Sequence, residues 1–336
     1  MKISASLYSN KTRDLQDLVA ELDSYEVDYF HIDSRDRLEV FDDIANIRSW
    51  SNTPIDLHII SQEPERFLTG IQSNEVELVT YQYEDLKDER QVPQKTKAEQ
   101  GLAITSETPI EVFEPFQSRC DFVLFMTTIP GMSGGKFQKI NFQKIRAFKK
   151  QFPHTRIHVD GGVNHEISFI LRNLGVASVV SGSYLVNDPS IGAAMLKLRR
   201  QEVPSPHFLV GEFMLGLEDT PLLPVEGTTF LDALESIEQY GLGLTIVVDA
   251  DRKIQGIVTN ADVRRGLLRH RQDLNQVPLS EIINPSPVVA MEDQTVSDML
   301  EMVKNQDFPI LYLPVVNAAK EVVGTLTFTN LIKGEG

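Results

Sequence analysis

Ile157-His158-Val159-Asp160-Gly161-Gly162-Val163 reads as a short strand that stops on a carboxylate and two glycines. Apolar and polar residues alternate, so side chains point to opposite faces by turns, and His158 and Asp160 share one of them. Two earlier stretches have the same form. Tyr29-Phe30-His31-Ile32-Asp33 brings His31 and Asp33 to one face, and Ile55-Asp56-Leu57-His58-Ile59 does the same for Asp56 and His58. In a barrel of parallel strands such ends converge on one mouth, and the chemistry is expected there.

Working outward, strand-like stretches fall at 2–7, 28–33, 55–60, 76–82, 101–105, 121–127, 156–160 and 177–182. Helical spacing of apolar residues separates most of them, at 11–22, 39–49, 63–72, 110–117, 141–151, 164–174 and 188–201. This alternation predicts an α/β fold, a (β/α)8 barrel over residues 1–203, rather than an open doubly wound sheet. The polar stretch 84–100 is expected to lack regular structure. Val203-Pro204-Ser205-Pro206 cannot continue a helix, so a linker is expected at 204–211.

From 212 to 336 the chain repeats itself, with copies at about 212–275 and 276–336. Thr228-Thr229-Phe230 and the residues after it match the stretch that starts at Gln294-Thr295-Val296. Val247-Val248-Asp249 corresponds to Val315-Val316-Asn317, and Gly256-Ile257-Val258-Thr259 to Gly324-Thr325-Leu326-Thr327. Each copy reads helix, strand, turn, strand, helix. A repeat of this kind means two units burying a shared face.

Composition narrows the function. At 336 residues, two domains are the natural expectation. Acidic residues outnumber basic ones, 48 to 32, for a formal charge of −16, which argues against a nucleic-acid surface. A small phosphorylated ligand remains open, because a few backbone N–H groups hold phosphate without net charge. The single cysteine, Cys120, forms no internal disulfide, and no stretch approaches the roughly 18 apolar residues of a membrane span. A cytoplasmic protein with no nucleic-acid or membrane partner is expected, and a homo-oligomer with it.

Two histidines and two aspartates at strand ends make a mixed nitrogen and oxygen set for a divalent ion such as Zn²⁺, Fe²⁺ or Mn²⁺. Glycines form a second constellation. Pro130-Gly131-Met132-Ser133-Gly134-Gly135, Gly161-Gly162 and Ser181-Gly182-Ser183 follow the last three strands. Glycine permits close backbone approach, and in such barrels the last loops often bind phosphate.

On these residues the first 200 or so resemble the ribulose-phosphate 3-epimerases from end to end. The opening strand resembles the family's, with Ser6 at a substrate-contacting serine. The family's H-x-D falls on His31 and Asp33, its second metal histidine on His58, and its D-G-G on Asp160, Gly161 and Gly162. Its phosphate loop P-G-x-x-G falls on Pro130 to Gly134, taking in Gly131, Ser133 and Gly134, and its S-G-S on 181–183, taking in Gly182 and Ser183. The resemblance implies His31, Asp33, His58 and Asp160 as metal ligands and a ketose phosphate as substrate. It also implies Asp33 and Asp160 as the acid and base that invert C3 through an enediolate. Gln82 replaces the family's histidine on the fourth strand, His158 replaces an acid, and Arg35 and Arg37 stand in a shortened loop after Asp33. Those changes point to an altered substrate.

The repeat resembles a tandem CBS pair, which implies an adenine nucleotide as a regulatory ligand. Gly256, Thr259 and Asp262 fit that family's G-x-x-T-x-x-D. The second copy keeps Gly324 and Thr327 but has Asn330 in place of the acid. Two readings stand: a metal-dependent sugar-phosphate 3-epimerase regulated by nucleotide, and a non-catalytic sensor of both ligands.

Overall fold

The first part of the chain forms short parallel strands, buried on both faces, whose outer faces need helices to cover them. The computed structural model describes residues 1–94, 96–128, 134–199, 208–270 and 274–328. The strands are β1 (Lys2–Ser6), β2 (Tyr29–Arg35), β3 (Ile55–Ile60), β4 (Leu78–Gln82), β5 (Glu99–Thr105), β6 (Phe122–Met126), β7 (Arg156–Asp160) and β8 (Ser178–Ser181). They close in sequence order into one barrel, and β8 pairs parallel with β1. Helices α1 (Leu15–Ser24), α2 (Val40–Trp50), α3 (Leu68–Ser73), α4 (Ile140–Gln151), α5 (His165–Asn173), α6 (Ser183–Val186) and α7 (Ile191–Arg199) follow most of the strands.

Two layers of side chains result. Outward residues of the strands meet the helices, as where the Phe125 ring stands edge-on to Phe148 of α4 at 5.5 Å. Inward residues fill the barrel. Tyr29, Leu78 and Phe122 pack together near the strand N-termini, and Ala103, Leu124 and Met126 pack further along. Between them the lining is polar, with Ser4, His31, Asp56, Thr80 and His158 all buried. His158 stacks on Phe122 with ring centroids 4.1 Å apart.

Several expected elements differ, each for a local reason. The first helix begins at Leu15, not near residue 11. The Asn10 side chain accepts from the N–H groups of Thr12 and Arg13 and holds a turn, and Asp14 then caps the helix by accepting from Gln16 and Asp17. The stretch 110–117 forms a 3-10 helix, Ile110–Phe116, because Pro115 inside it lacks an N–H. Leu68–Ser73 is α-helical only after a 3-10 turn that starts at Pro64. The stretch 84–100 carries two short 3-10 turns before β5 begins at Glu99.

The chain divides into two compact units, Met1–Gln201 and Glu202–Gly334. The second unit holds β9 (Leu222–Pro224), α8 (Phe230–Tyr240), β10 (Leu244–Val248), β11 (Ile254–Thr259), α9 (Asn260–Arg269), β12 (Ala290–Met291), α10 (Val296–Lys304), β13 (Tyr312–Val316) and β14 (Val322–Thr327). Each copy is a three-stranded sheet, β11-β10-β9 or β12-β13-β14; the short strands β9 and β12 carry no alternation long enough to read. The repeat extends to detail. A bulge falls at Val247/Val248 in one copy and at Val315/Val316 in the other. Asp249 accepts from the N–H groups of Asp251 and Lys253, as Asn317 does from Ala319 and Glu321. Residues 208–211, expected in the linker, hydrogen-bond instead to 292–296 of the second copy. The stretch where a last helix of that copy is expected, with Asn330, lies outside the described residues.

Candidate active site

The site is built by register. Parallel pairing of β2 with β3 sets His31 against Asp56 and Asp33 against His58, and β7 brings Asp160 to the same mouth. His31, Asp33, His58 and Asp160 each offer an atom such that all lie within 4.8 Å of one another. Both imidazoles are fully buried, while the carboxylates of Asp33 and Asp160 keep 21% and 17% of their side-chain surface. The nitrogens are fixed in the wall and the acids are reachable from the opening.

Each ring has its outer nitrogen occupied. The Nδ1 of His31 lies 2.9 Å from an Asp56 oxygen that also accepts from the Ser4 hydroxyl at 2.9 Å. An ionised carboxylate only accepts, so the Nδ1 proton of His31 points to Asp56. Its Nε2 then faces the mouth, buried and without a hydrogen-bond partner, 3.4 Å from Asp33 and 3.8 Å from Asp160. His58 reverses the arrangement: Nε2 lies 2.8 Å from Gln82 Oε1 and Nδ1 lies 3.0 Å from Asp33. Histidine ligands to metal ions are commonly held by such outer partners.

Electrostatics agree with this. Burial alone would lower the basicity of His31, but the charges of Asp56 and Asp33 outweigh it and raise it well above the usual histidine value. The pocket therefore demands positive charge at Nε2, which a divalent cation supplies as well as a proton does. The donor set thus fits such a cation. The two acids separate. Burial pushes Asp160 up to about 6 against the pull of His31. Burial acts the same way on Asp33, but His31 and His58 together hold its carboxyl well below the usual range.

The glycines cluster at the same rim. Gly161 and Gly162 follow β7 at φ +113° and +64°, outside the region side chains favour. A Cβ on Gly162 would run into the backbone of Lys136 and Phe137, and one on Gly161 would sit 2.8 Å from the Thr128 N–H. Gly134, at φ +87°, belongs to the 134–137 loop that meets Gly162. Gly182 packs on Ser9 and Ser6, whose hydroxyls are 3.0 Å apart, and Ser183 opens α6. Pro130, Gly131 and Ser133 lie outside the described residues.

Four participants were not assigned a role from sequence: Asp56, Ser4, Ser9 and Glu84, the last accepting from the Gln82 side-chain amide behind His58. Alternation already put Asp56 inward; its service to His31 follows only from the β2–β3 register. Arg35 and Arg37 are exposed. The Ser34 hydroxyl donates to the Arg37 carbonyl at 2.8 Å, and Ser61 donates to Asp36, which sits at φ +52°. These bonds tie down the short loop after β2.

In the second unit Thr259 and Asp262 come together as a capping box. The Thr259 N–H and hydroxyl both donate to Asp262, at 2.9 and 2.5 Å, and Asp262 also accepts from Arg265. Thr327 ends β14 at the corresponding place in the second copy.

Comparison with known proteins agrees with this architecture. The profile of the Ribulose-phosphate 3 epimerase family matches residues 2–186, and the chain belongs to that family. CBS domain profiles match residues 222–269 and 279–335. The ribulose-phosphate 3-epimerase of Candida glabrata is 30% identical over 47% of this chain, and the match spans 66% of that protein's length. The ribulose-phosphate 3-epimerase of Methanocaldococcus jannaschii is 26% identical over 59% of this chain and 90% of its own. Among solved structures, the CBS-pair protein CBSX2 from Arabidopsis thaliana covers 38% of this chain and 92% of that chain, at 22% identity and a TM-score of 0.32. No helix among the described residues is long and apolar enough to cross a membrane.

Proposed function

We propose that the barrel is a metal-dependent 3-epimerase of a ketose phosphate, close in kind to ribulose 5-phosphate, and that the CBS pair makes it responsive to an adenine nucleotide. The gathering of His31, Asp33, His58 and Asp160 within 4.8 Å at the barrel mouth carries this reading. His31 Nε2, His58 Nδ1 and the two carboxylates would hold the cation. Zn²⁺, Fe²⁺ or Mn²⁺, once bound, supplies Lewis acidity that stabilises negative charge on the substrate's carbonyl oxygen.

The residues of the chain do the proton work. Asp33 and Asp160 stand on β2 and β7 and so approach a bound sugar from different sides of the mouth. One removes the C3 proton and the other returns a proton to the opposite face, which inverts that carbon. Gly161, Gly162, Gly134, Gly182, Ser183 and Ser6, joined by Gly131 and Ser133, would cradle the phosphate at the rim. Thr259 and Asp262 of the first copy would hold the nucleotide's ribose and phosphate, with Thr327 at the second site.

The test is to load the purified chain with each of the three cations and follow conversion of ribulose 5-phosphate to its C3 epimer. Conversion that chelation abolishes and re-metallation restores supports the reading. A fully loaded protein that converts neither ribulose 5-phosphate nor any longer ketose phosphate contradicts it.

A further inference from the structure

The Asp262 carboxylate, which would hold the ribose, is occupied on both of its oxygens. Thr259 donates its N–H and its hydroxyl to Oδ2, at 2.9 and 2.5 Å, and Arg265 donates through Nη2 to Oδ1. Asp262 and Arg265 stand three residues apart on α9, so they share one face of the helix. Long side chains on a helix lean toward its N-terminus, which carries the guanidinium back to the carboxylate. The two partners of Asp262 are not equally fixed. The Thr259 bonds belong to the capping box that starts the helix, and breaking them undoes the cap. The Arg265 bond joins a side chain that is 59% exposed to one that is 9% exposed, and ion pairs with a partner in solvent are weak. Arg265 is the partner that can leave.

An ionised carboxylate offers about four lone-pair positions, and these bonds use three of them. The vicinal diol of a ribose needs two. It therefore reaches Oδ1 with both hydroxyls only after Arg265 has moved away. An unphosphorylated nucleoside offers the displaced guanidinium no new partner. A phosphate on the same ribose offers an anion matched to its forked N–H donors. We propose that Arg265 makes the first-copy site selective for phosphorylated adenosines: it closes Asp262 to a nucleoside and exchanges Asp262 for the phosphate of a nucleotide. This rests on the nucleotide-responsive reading and goes beyond it, in naming the residue that reads the phosphate and the ligand class that is refused.

The test is titration calorimetry of the full chain with AMP and with adenosine. Arg265→Met keeps much of the stem and removes the charge at a largely exposed position. It should bind adenosine about 2- to 5-fold more tightly, because the competing ion pair is gone. It should bind AMP about tenfold more weakly, because a charge-assisted bond to phosphate is gone. The preference for AMP should thus shrink by about 20- to 50-fold. Arg265→Lys, which keeps the charge but not the fork, should fall between parent and Met variant. Arg264→Met removes the same charge from the neighbouring exposed residue and should leave both affinities within about twofold. Opposite movement of the two ligands separates phosphate reading from a structural role, which would weaken both. Loss of both affinities by a similar factor in Arg265→Met overturns the proposal, as does an unchanged preference or the same pattern in Arg264→Met. A parent that binds adenosine as tightly as AMP overturns it while leaving an adenine site in place. A parent that binds none of AMP, ATP and adenosine contradicts the nucleotide reading and this proposal with it.

Discussion

His31 and His58 turn opposite ring nitrogens toward one point, and a different neighbour stands behind each. For His31 the neighbour is Asp56, whose charge makes Nε2 a stronger donor to a cation. Asp56→Asn preserves a partner for both the Ser4 hydroxyl and the His31 N–H and removes only the charge; cation affinity by titration calorimetry should fall about tenfold. His158, deeper in the same polar layer, is pushed down to about 4, by burial first, with the charge of Asp56 opposing. The sign follows from linkage. Below the ordinary histidine value of ~6.5 the unfolded chain takes up a proton that the folded chain refuses until about pH 4. Folding stability is therefore lost progressively across that window as pH falls. Replacing His158 by Phe, which keeps the stack on Phe122, should remove about 2 kcal/mol of the stability difference between about pH 7 and about pH 5. Urea unfolding at the two pH values measures it.

At the level of single elements, alternation made the strands legible and register did not. The spacing of His31, Asp33, Asp56 and His58 in the sequence tells which face each occupies, because the strand period is two. It does not tell that His31 lies opposite Asp56, which depends on how two strands slide against each other in three dimensions. Helix starts at Leu15 and Leu68 shifted for a similar reason: the Asn10 turn and the Pro64 turn are decided by side-chain-to-backbone bonds that apolar spacing does not report. The Gln82–Glu84 pair was hidden because one of its supports, the 105–108 loop that donates to Glu84, comes from the next strand. The Gly161-Gly162 step shows where sequence sufficed, since both glycines take backbone angles that other residues adopt at a cost. Gly162→Ala adds that cost to a collision with the Lys136–Phe137 backbone. It should destabilise the barrel by about 1–3 kcal/mol and raise KM for the sugar phosphate more than it lowers kcat. Thermal melting and steady-state kinetics check the two halves of that statement.

The whole second unit is a shared structure rather than two folded halves side by side. Leu215 pairs with Thr325 and Leu209 with Thr295, so the segment before β9 lies on the second copy; Thr229 pairs with Pro278 and Ile257 with Asn284, so the segment before β12 lies on the first. One core cluster joins Leu244, Ile246, Val248 and Ile257 to Val316 and Val322. Burying a side chain of that size contributes about 1.5–3 kcal/mol, and placing an unpaired charge there costs more. Val322→Asp should therefore abolish adenine-nucleotide binding at Thr259 and Asp262 of the other copy as well, whereas a half that folded alone would keep it; titration with AMP or ATP distinguishes these.

Epimerisation at C3 turns on one carbon-bound proton of the substrate, and deuterium exchange reads it directly. The cation-loaded chain would be incubated in D₂O with ribulose 5-phosphate and a set of longer ketose phosphates, and C3 followed by NMR. Deuterium should enter at C3 of one of them, and exchange should fall by about 10²–10⁴ in Asp33→Asn and in Asp160→Asn. Absence of exchange into every sugar while the cation is demonstrably bound would contradict the account, as would exchange that both variants retain.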